Sequence, residues 1–278
     1  MLISDRFVIQ NPVFYFDIGD SSKNFRTGFE EFPLYPIIRK LRLSGGRIIF
    51  REVEKGIKRE TTVSQDILIE ASNLSPVGVD DLLLKLHLSN EQKTGWVEIR
   101  GKLDATSSKL SEWTLDGDAK MSSCPIVPIR GLLSVFNFDL PLSRGIIDGA
   151  LHAKGTAANL SVQGQFTLSN AVLSPGLMFA DKIPIDKAFA SFSLQKTNDT
   201  IALDLSELSL AGINLSFHAK VENISGQNTF LTFSVNKASL DLKKIFPFIP
   251  INFLKMEDRD QLMEAGLTGN LLITNGGW

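Results

Sequence analysis

Two carboxylates, Asp116 and Asp118, lie two residues apart in Trp113-Thr-Leu-Asp-Gly-Asp-Ala-Lys-Met121. The odd positions of this stretch are Trp, Leu, Gly, Ala and Met, and the even positions are Thr, Asp, Asp and Lys. A period of two puts both carboxylates on one face of a strand. Such a pair could serve acid–base catalysis or hold a cation. Lys120 continues the same row, so a solvated strand face is expected. His87, His152 and His218 are spaced by about 65 residues and could assemble at most one metal site. His152 and His218 each fall between apolar neighbours on a polar face. They could be ligands on adjacent strands, but surface histidines are the expectation. The single cysteine, Cys124, precedes Pro125 and reads as an inert thiol. No Ser sits in a Gly-x-Ser-x-Gly elbow, and no Gly-rich loop fits a phosphate. The Asn-x-Ser stretches at Asn159, Asn214 and Asn223 read as chance matches to glycosylation acceptors. No catalytic motif stands out, and the expectation is a non-enzyme with no cofactor and no metal, an enzyme being the most distant alternative.

Composition excludes further classes. Among 278 residues, 29 Lys+Arg balance 31 Asp+Glu, a net charge of −2. That balance lacks the basic footprint of a nucleic-acid partner. One Cys excludes a disulfide scaffold. A hydrophobic content of 43% argues against disorder. No apolar run approaches the roughly 20 residues of a membrane helix. Met1-Leu-Ile-Ser-Asp-Arg6 carries no signal-peptide pattern. Gly269–Trp278 reads as a strand and the start of a turn, which leads us to expect a segment of a longer chain.

The elements that carry these residues are strands. Leu160-Ser-Val-Gln-Gly-Gln-Phe-Thr-Leu168 and Ile213-Asn-Leu-Ser-Phe-His-Ala-Lys-Val221 alternate without exception. Shorter alternation occurs at 37–43, 97–103, 147–153, 188–195 and 201–205. One dry and one wet face per strand suits antiparallel sheets. Turns are predicted at Ser44-Gly-Gly46, 154–159, 196–200 and 224–228. Short helices are predicted at 127–138, 240–246 and 256–265. Residues 75–84 could open a helix or, since 82–88 alternates, belong to a strand. Leu151-His-Ala-Lys154 and Phe217-His-Ala-Lys220 may echo a repeated hairpin or share a tripeptide by coincidence. The best break is Ser122-Ser-Cys-Pro-Ile-Val-Pro128, dividing a β-rich segment at 1–125 from one at 126–278.

A dozen one-faced strands present a long apolar surface that must be covered. A sandwich, a closed barrel, or an open trough occupied by lipid would each do so. Leu115, Ile147, Leu151, Val162, Phe166, Leu168, Leu215 and Phe217 would line the trough. A dry core would use the same residues. The apolar run Pro247-Phe-Ile-Pro-Ile-Asn-Phe-Leu254 reads as a core-filling connection, or as a segment that touches a membrane or seals a groove.

Several stretches carry a resemblance. Leu142-Ser-Arg-Gly-Ile-Ile-Asp-Gly-Ala-Leu-His-Ala-Lys-Gly155 resembles a Gly/Leu-patterned strand of the AsmA-like family. Asn159-Leu-Ser-Val-Gln-Gly-Gln-Phe-Thr-Leu-Ser-Asn-Ala-Val-Leu173 resembles the strand that follows it. Residues 183–194 and 208–221 are similar to the next elements. Leu240-Asp-Leu-Lys-Lys-Ile-Phe-Pro247 is similar to the family's short helix, and 38–50 to an early hairpin. The likeness covers about two thirds of the chain, is carried by the order of individually weak motifs, and omits residues 51–125.

The resemblance implies a mainly β fold: a long antiparallel meander curled into an open, taco-like groove with a few short helices. It implies the periplasm of a Gram-negative bacterium, with inner-membrane anchorage by a segment absent from this chain. The expected function is non-enzymatic. Phospholipid acyl chains would be the partners, shielded by burial for transfer between inner and outer membranes. Headgroup selectivity would be weak, and flanking regions would meet the envelope membranes. The alternative is a closed β-sandwich that assists outer-membrane protein assembly without lipid.

Overall fold

A computed structural model describes residues 2–17, 36–54, 57–75, 77–89, 93–106, 112–134, 140–174, 182–224, 226, 228–245 and 269–277. Its strands are β1 (Leu2–Ser4), β2 (Phe7–Gln10), β3 (Val13–Asp17), β4 (Pro36–Glu54), β5 (Ile57–Leu74), β6 (Gly78–Ser89), β7 (Thr94–Asp104) and β8 (Thr114–Pro125). After helix α1 (Ile126–Ser134) come β9 (Leu142–Thr156), β10 (Asn159–Leu173), β11 (Ile183–Thr197), β12 (Thr200–Leu210), β13 (Ile213–Glu222) and β14 (Phe230–Asp241). A short helix α2 (Leu242–Ile245) and β15 (Asn270–Gly277) complete the described elements.

The protein is mainly β. Its strands form one open sheet in the order β1-β4-β5 and then consecutively to β15, with β2 and β3 also on β4. From β4 to β8 and from β10 to β15 neighbouring strands pair antiparallel. The meander is not antiparallel throughout. β1, β2 and β3 run end to end along β4, parallel to it, with Leu2 opposite Pro36, Phe7 opposite Leu41 and Val13 opposite Arg47.

The turn expected at Ser44-Gly-Gly46 is absent, because β4 runs straight through it. The glycines instead form a bulge where β2 gives way to β3. Asn11 N donates to Ser44 O at 2.8 Å and Arg47 N to Pro12 O at 2.9 Å. Gly45 has φ +69, and a β-carbon there would strike the Asn11 side chain, so glycine is required.

Of the two possibilities for 75–84, the strand holds: β6 starts at Gly78, directly after a tight Ser75–Gly78 bridge. Helix α1 begins one residue before the helix predicted at 127–138 and covers it as far as the described residues reach, to Ser134. Leu240 and Asp241, predicted helical, end β14, and α2 follows. Residues 256–265 and 247–254 lie outside the described residues.

The chain divides into two compact units, Met1–Leu140 with Ala150–Ala158, and Pro141–Gly149 with Asn159–Trp278. In the first, α1 touches β5, β6 and β8. There Ile67, Leu88, Cys124 and Ile126 are fully buried. In the second, Ala171, Val172, Ile183 and Ile185 are buried where the end of β10 meets the start of β11.

Candidate functional site

Directly paired residues share a face of the sheet, so register reveals which side chains meet. In the second unit Val162 pairs with Leu194, Gly164 with Phe192, Phe166 with Ala190 and Leu168 with Ala188. These continue to Leu203, Leu205, Leu208 and Leu210 on β12. Leu205 in turn pairs with Phe217, Leu208 with Leu215 and Leu203 with Ala219 on β13. Val235, Ala238 and Phe233 carry the row onto β14. Five of the expected lining residues, Val162, Phe166, Leu168, Leu215 and Phe217, thus lie on one apolar face spanning β10 to β14.

Two bulges keep that face continuous. Leu205 and Leu208 are three apart, which strict alternation would place on opposite faces. The shift between them absorbs one residue, and Ser206 Oγ donates to Ser191 O at 2.9 Å across the irregularity. A second shift, between Ser216 and Phe217, leaves Asn236 as the extra residue of β14. Rings reinforce the diagonals. Phe166 and Phe192 stack with centroids 6.0 Å apart, and Phe217 and Phe233 lie 5.1 Å apart.

Ile147 on β9 also belongs to this unit. It shares a strand face with Gly149, over which the Phe166 ring lies. Apart from the buried Ala238, the side chains of this row from β10 to β14 are half-buried.

The first unit has its own apolar face. Ile69, Leu84, Ile99 and Ala119 pair in succession from β5 to β8. Leu103 pairs with Leu115, the remaining expected residue of this face, which is 42% exposed. Leu151, on β9, is half-buried and alternates with the polar His152. The reverse face is polar. Arg42 pairs with Glu70 at 3.3 Å. Glu98 accepts from Lys85 Nζ at 2.8 Å and Arg100 Nε at 2.6 Å. The Lys85 and Arg100 hydrogen bonds hold the Glu98 carboxyl below the usual carboxylate range, and Glu98 raises Arg100 in return.

The carboxylates singled out from sequence sit in this polar row as ion-pair partners. Asp116 takes Lys154 Nζ at 3.1 Å, which lowers its pKa, and Asp118 lies 3.0 Å from His152 Nδ1. His152 and His218 stand on β9 and β13, which are not neighbours in the strand order. Among the described residues no group of three or more His, Cys, Asp or Glu could hold a metal ion.

Sequence reading missed the middle of the second unit's row: Phe192, Leu194, Leu203, Leu205 and Leu208. The alternation of 188–195 and 201–205 marked the first four as strand residues. The bulge at Ser206, which aligns Leu208 with them, had no such signal. No protein-family model, curated protein or solved structure matches the chain.

Proposed function

We propose that the chain is a non-enzymatic, lipid-shielding segment of an AsmA-like envelope protein, whose apolar sheet face covers phospholipid acyl chains. One observation carries this reading. The row from Val162 and Phe166 through Phe192, Leu205 and Phe217 to Val235 is continuous, yet its side chains are only half-buried. A protein core of that extent would bury them as completely as Leu88 is buried in the first unit. An acyl chain laid along the row completes the burial at about 0.8 kcal/mol per methylene. The ordered motifs at 142–173 and 240–247 add the periplasmic setting and transfer between the two membranes.

Native mass spectrometry of the purified chain tests the reading. Phospholipid adducts are expected. A lipid-free protein that also fails to take up a fluorescent acyl probe overturns it.

A further inference from the structure

On the polar face of the first unit, two cations stand side by side where the chain between β1 and β2 runs along β4. Ser4 lies opposite Ile38 and Phe7 opposite Leu41. The same offset sets Asp5 beside Arg39 and Arg6 beside Lys40. Consecutive residues of an extended chain point to opposite faces. On one face the neighbours are an ion pair, with Arg39 Nη1 3.0 Å from Asp5 Oδ1. On the other they are two like charges, Arg6 and Lys40, both exposed. They border a cleft of about 540 Å³ together with Arg42, Glu70, Ser72 and Asp81.

We infer that this cleft is an oxyanion site for a dianionic phosphate, free or as a monoester, held between Arg6 and Lys40. The site lies on the polar side of the sheet and does not depend on lipid shielding by the apolar side.

The carboxylates of the cleft are engaged or distant. Glu70 takes Arg42 at 3.3 Å. Asp81 stands two strands from Lys40, with Ser72 between them in the register. At about 4.8 Å per strand that separation is about 10 Å. Asp81 acts on Arg100 instead, whose pKa is raised mainly by Glu98 and further by Asp81. Among the described residues Arg6 and Lys40 form no ion pair. Like charges on neighbouring strands repel. A bound anion removes that repulsion, and the charge to be balanced fixes its class. A phosphate monoester carries about −1.5 to −2 at neutral pH and matches two cations. A carboxylate or a phosphodiester supplies a single charge. The Arg6 guanidinium suits two phosphate oxygens at once, and Lys40 adds a point charge. The Ser72 hydroxyl, next in the row, is a further donor.

Calorimetric titration of the whole chain with inorganic phosphate and with glycerol 3-phosphate tests this, against acetate and dimethyl phosphate. The two dianions are expected to bind and the two monoanions are not. Lys40→Gln and Arg6→Gln should each weaken binding about tenfold, the scale of one lost charge-assisted hydrogen bond. Arg39→Gln, on the opposite face, should leave binding unchanged. Without phosphate, Lys40→Gln should hold or raise the urea midpoint, because a like charge has gone. Flotation with phosphatidylcholine vesicles containing phosphatidic acid or phosphatidylglycerol separates the sources. Binding to phosphatidic acid alone, displaced by glycerol 3-phosphate, supports a lipid monoester. Calorimetric binding without flotation supports a soluble phosphate. Failure of both dianions to bind, equal binding of dimethyl phosphate, or an equal loss in Arg39→Gln overturns the site. A lowered urea midpoint in Lys40→Gln overturns it too, since Lys40 would then be compensated within the protein.

Discussion

The ring of Phe166 occupies the place that a β-carbon on Gly149 would need, and the carbonyl oxygen of Gln165 lies 2.7 Å from the same point. A glycine inside a strand loses packing, and an aromatic side chain on the neighbouring strand covers the gap. Gly149→Ala should cost about 1–3 kcal/mol, the range for overpacking. In a Phe166→Ala background the same change should cost less, because the ring no longer blocks it. The Gln165 contact should keep the relief partial. Urea denaturation of the two single variants and the double variant measures the coupling. Additive costs would show that the ring and the glycine are independent.

Ser64 and Leu88 are direct cross-strand partners, both fully buried at the α1 end of the first unit. Among the described residues Ser64 Oγ has no hydrogen-bond partner. A buried hydroxyl left unsatisfied costs about 1–3 kcal/mol. Ser64→Ala should therefore hold or raise the urea midpoint, although it removes a polar contact in name. Leu88→Ala should lower stability by about 2–5 kcal/mol through the cavity it leaves. Opposite signs for the two substitutions are the expected result, and a destabilised Ser64→Ala protein contradicts it.

The hairpin between β12 and β13 closes Leu210 on Ile213 through Ala211 and Gly212, with φ +44 and +86. Two consecutive positive φ values are the signature of a type I′ turn, whose first position favours Asn. Alanine in the left-handed region is strained by about 1–2 kcal/mol. Ala211→Asn should raise stability by about 0.5–1 kcal/mol, part of that strain. Thermal unfolding followed by circular dichroism reads the shift.

Glu98 is held below the usual carboxylate range by Lys85 and Arg100. A depressed folded-state pKa contributes stability that is present above the unfolded value, about 4.3. It is lost as pH falls through the folded one. Urea midpoints measured from pH 6 down to pH 2.5 should therefore fall below about pH 4 in the wild type. Glu98→Gln should be less stable at neutral pH, and its gap to the wild type should close in acid. A gap that stays constant over the range would remove Glu98 from the acid response.

Leu215 sits half-buried in the row between Leu208 and Ala238. A charge introduced there remains within reach of water if only lipid covers the face. Leu215→Asp should leave the circular dichroism spectrum and melting transition intact while abolishing uptake of a fluorescent acyl probe. Loss of the folded spectrum would instead mark the position as a closed protein core.

Much of this was readable from residue order. Strict alternation at 160–168 and 213–221 announced strands with one dry face, and these became β10 and β13. The helical spacing after Pro125 announced α1. The polar rank of Asp116, Asp118 and Lys120 announced a wet face, although not the Lys154 and His152 partners that settle it. Ser44-Gly-Gly46 misled, because a Gly pair serves a bulge as well as a turn. Only the pairing of β4 with both β2 and β3 distinguishes the two uses. The parallel pairing of β1 to β3 left no mark either, since strand direction is absent from a period of two.

Sequence alone determined which side chains share a face within each strand, because that periodicity is a property of the local backbone. Tertiary structure decided which faces join. Register is set by hydrogen bonds between residues tens of positions apart, and one extra residue reverses every side chain beyond it. The shifts at Ser206 and Asn236 make Phe166, Phe192, Leu205, Phe217 and Val235 one row. In the first unit, α1 touches β5, β6 and β8, Leu88 is fully buried and Leu115 is exposed.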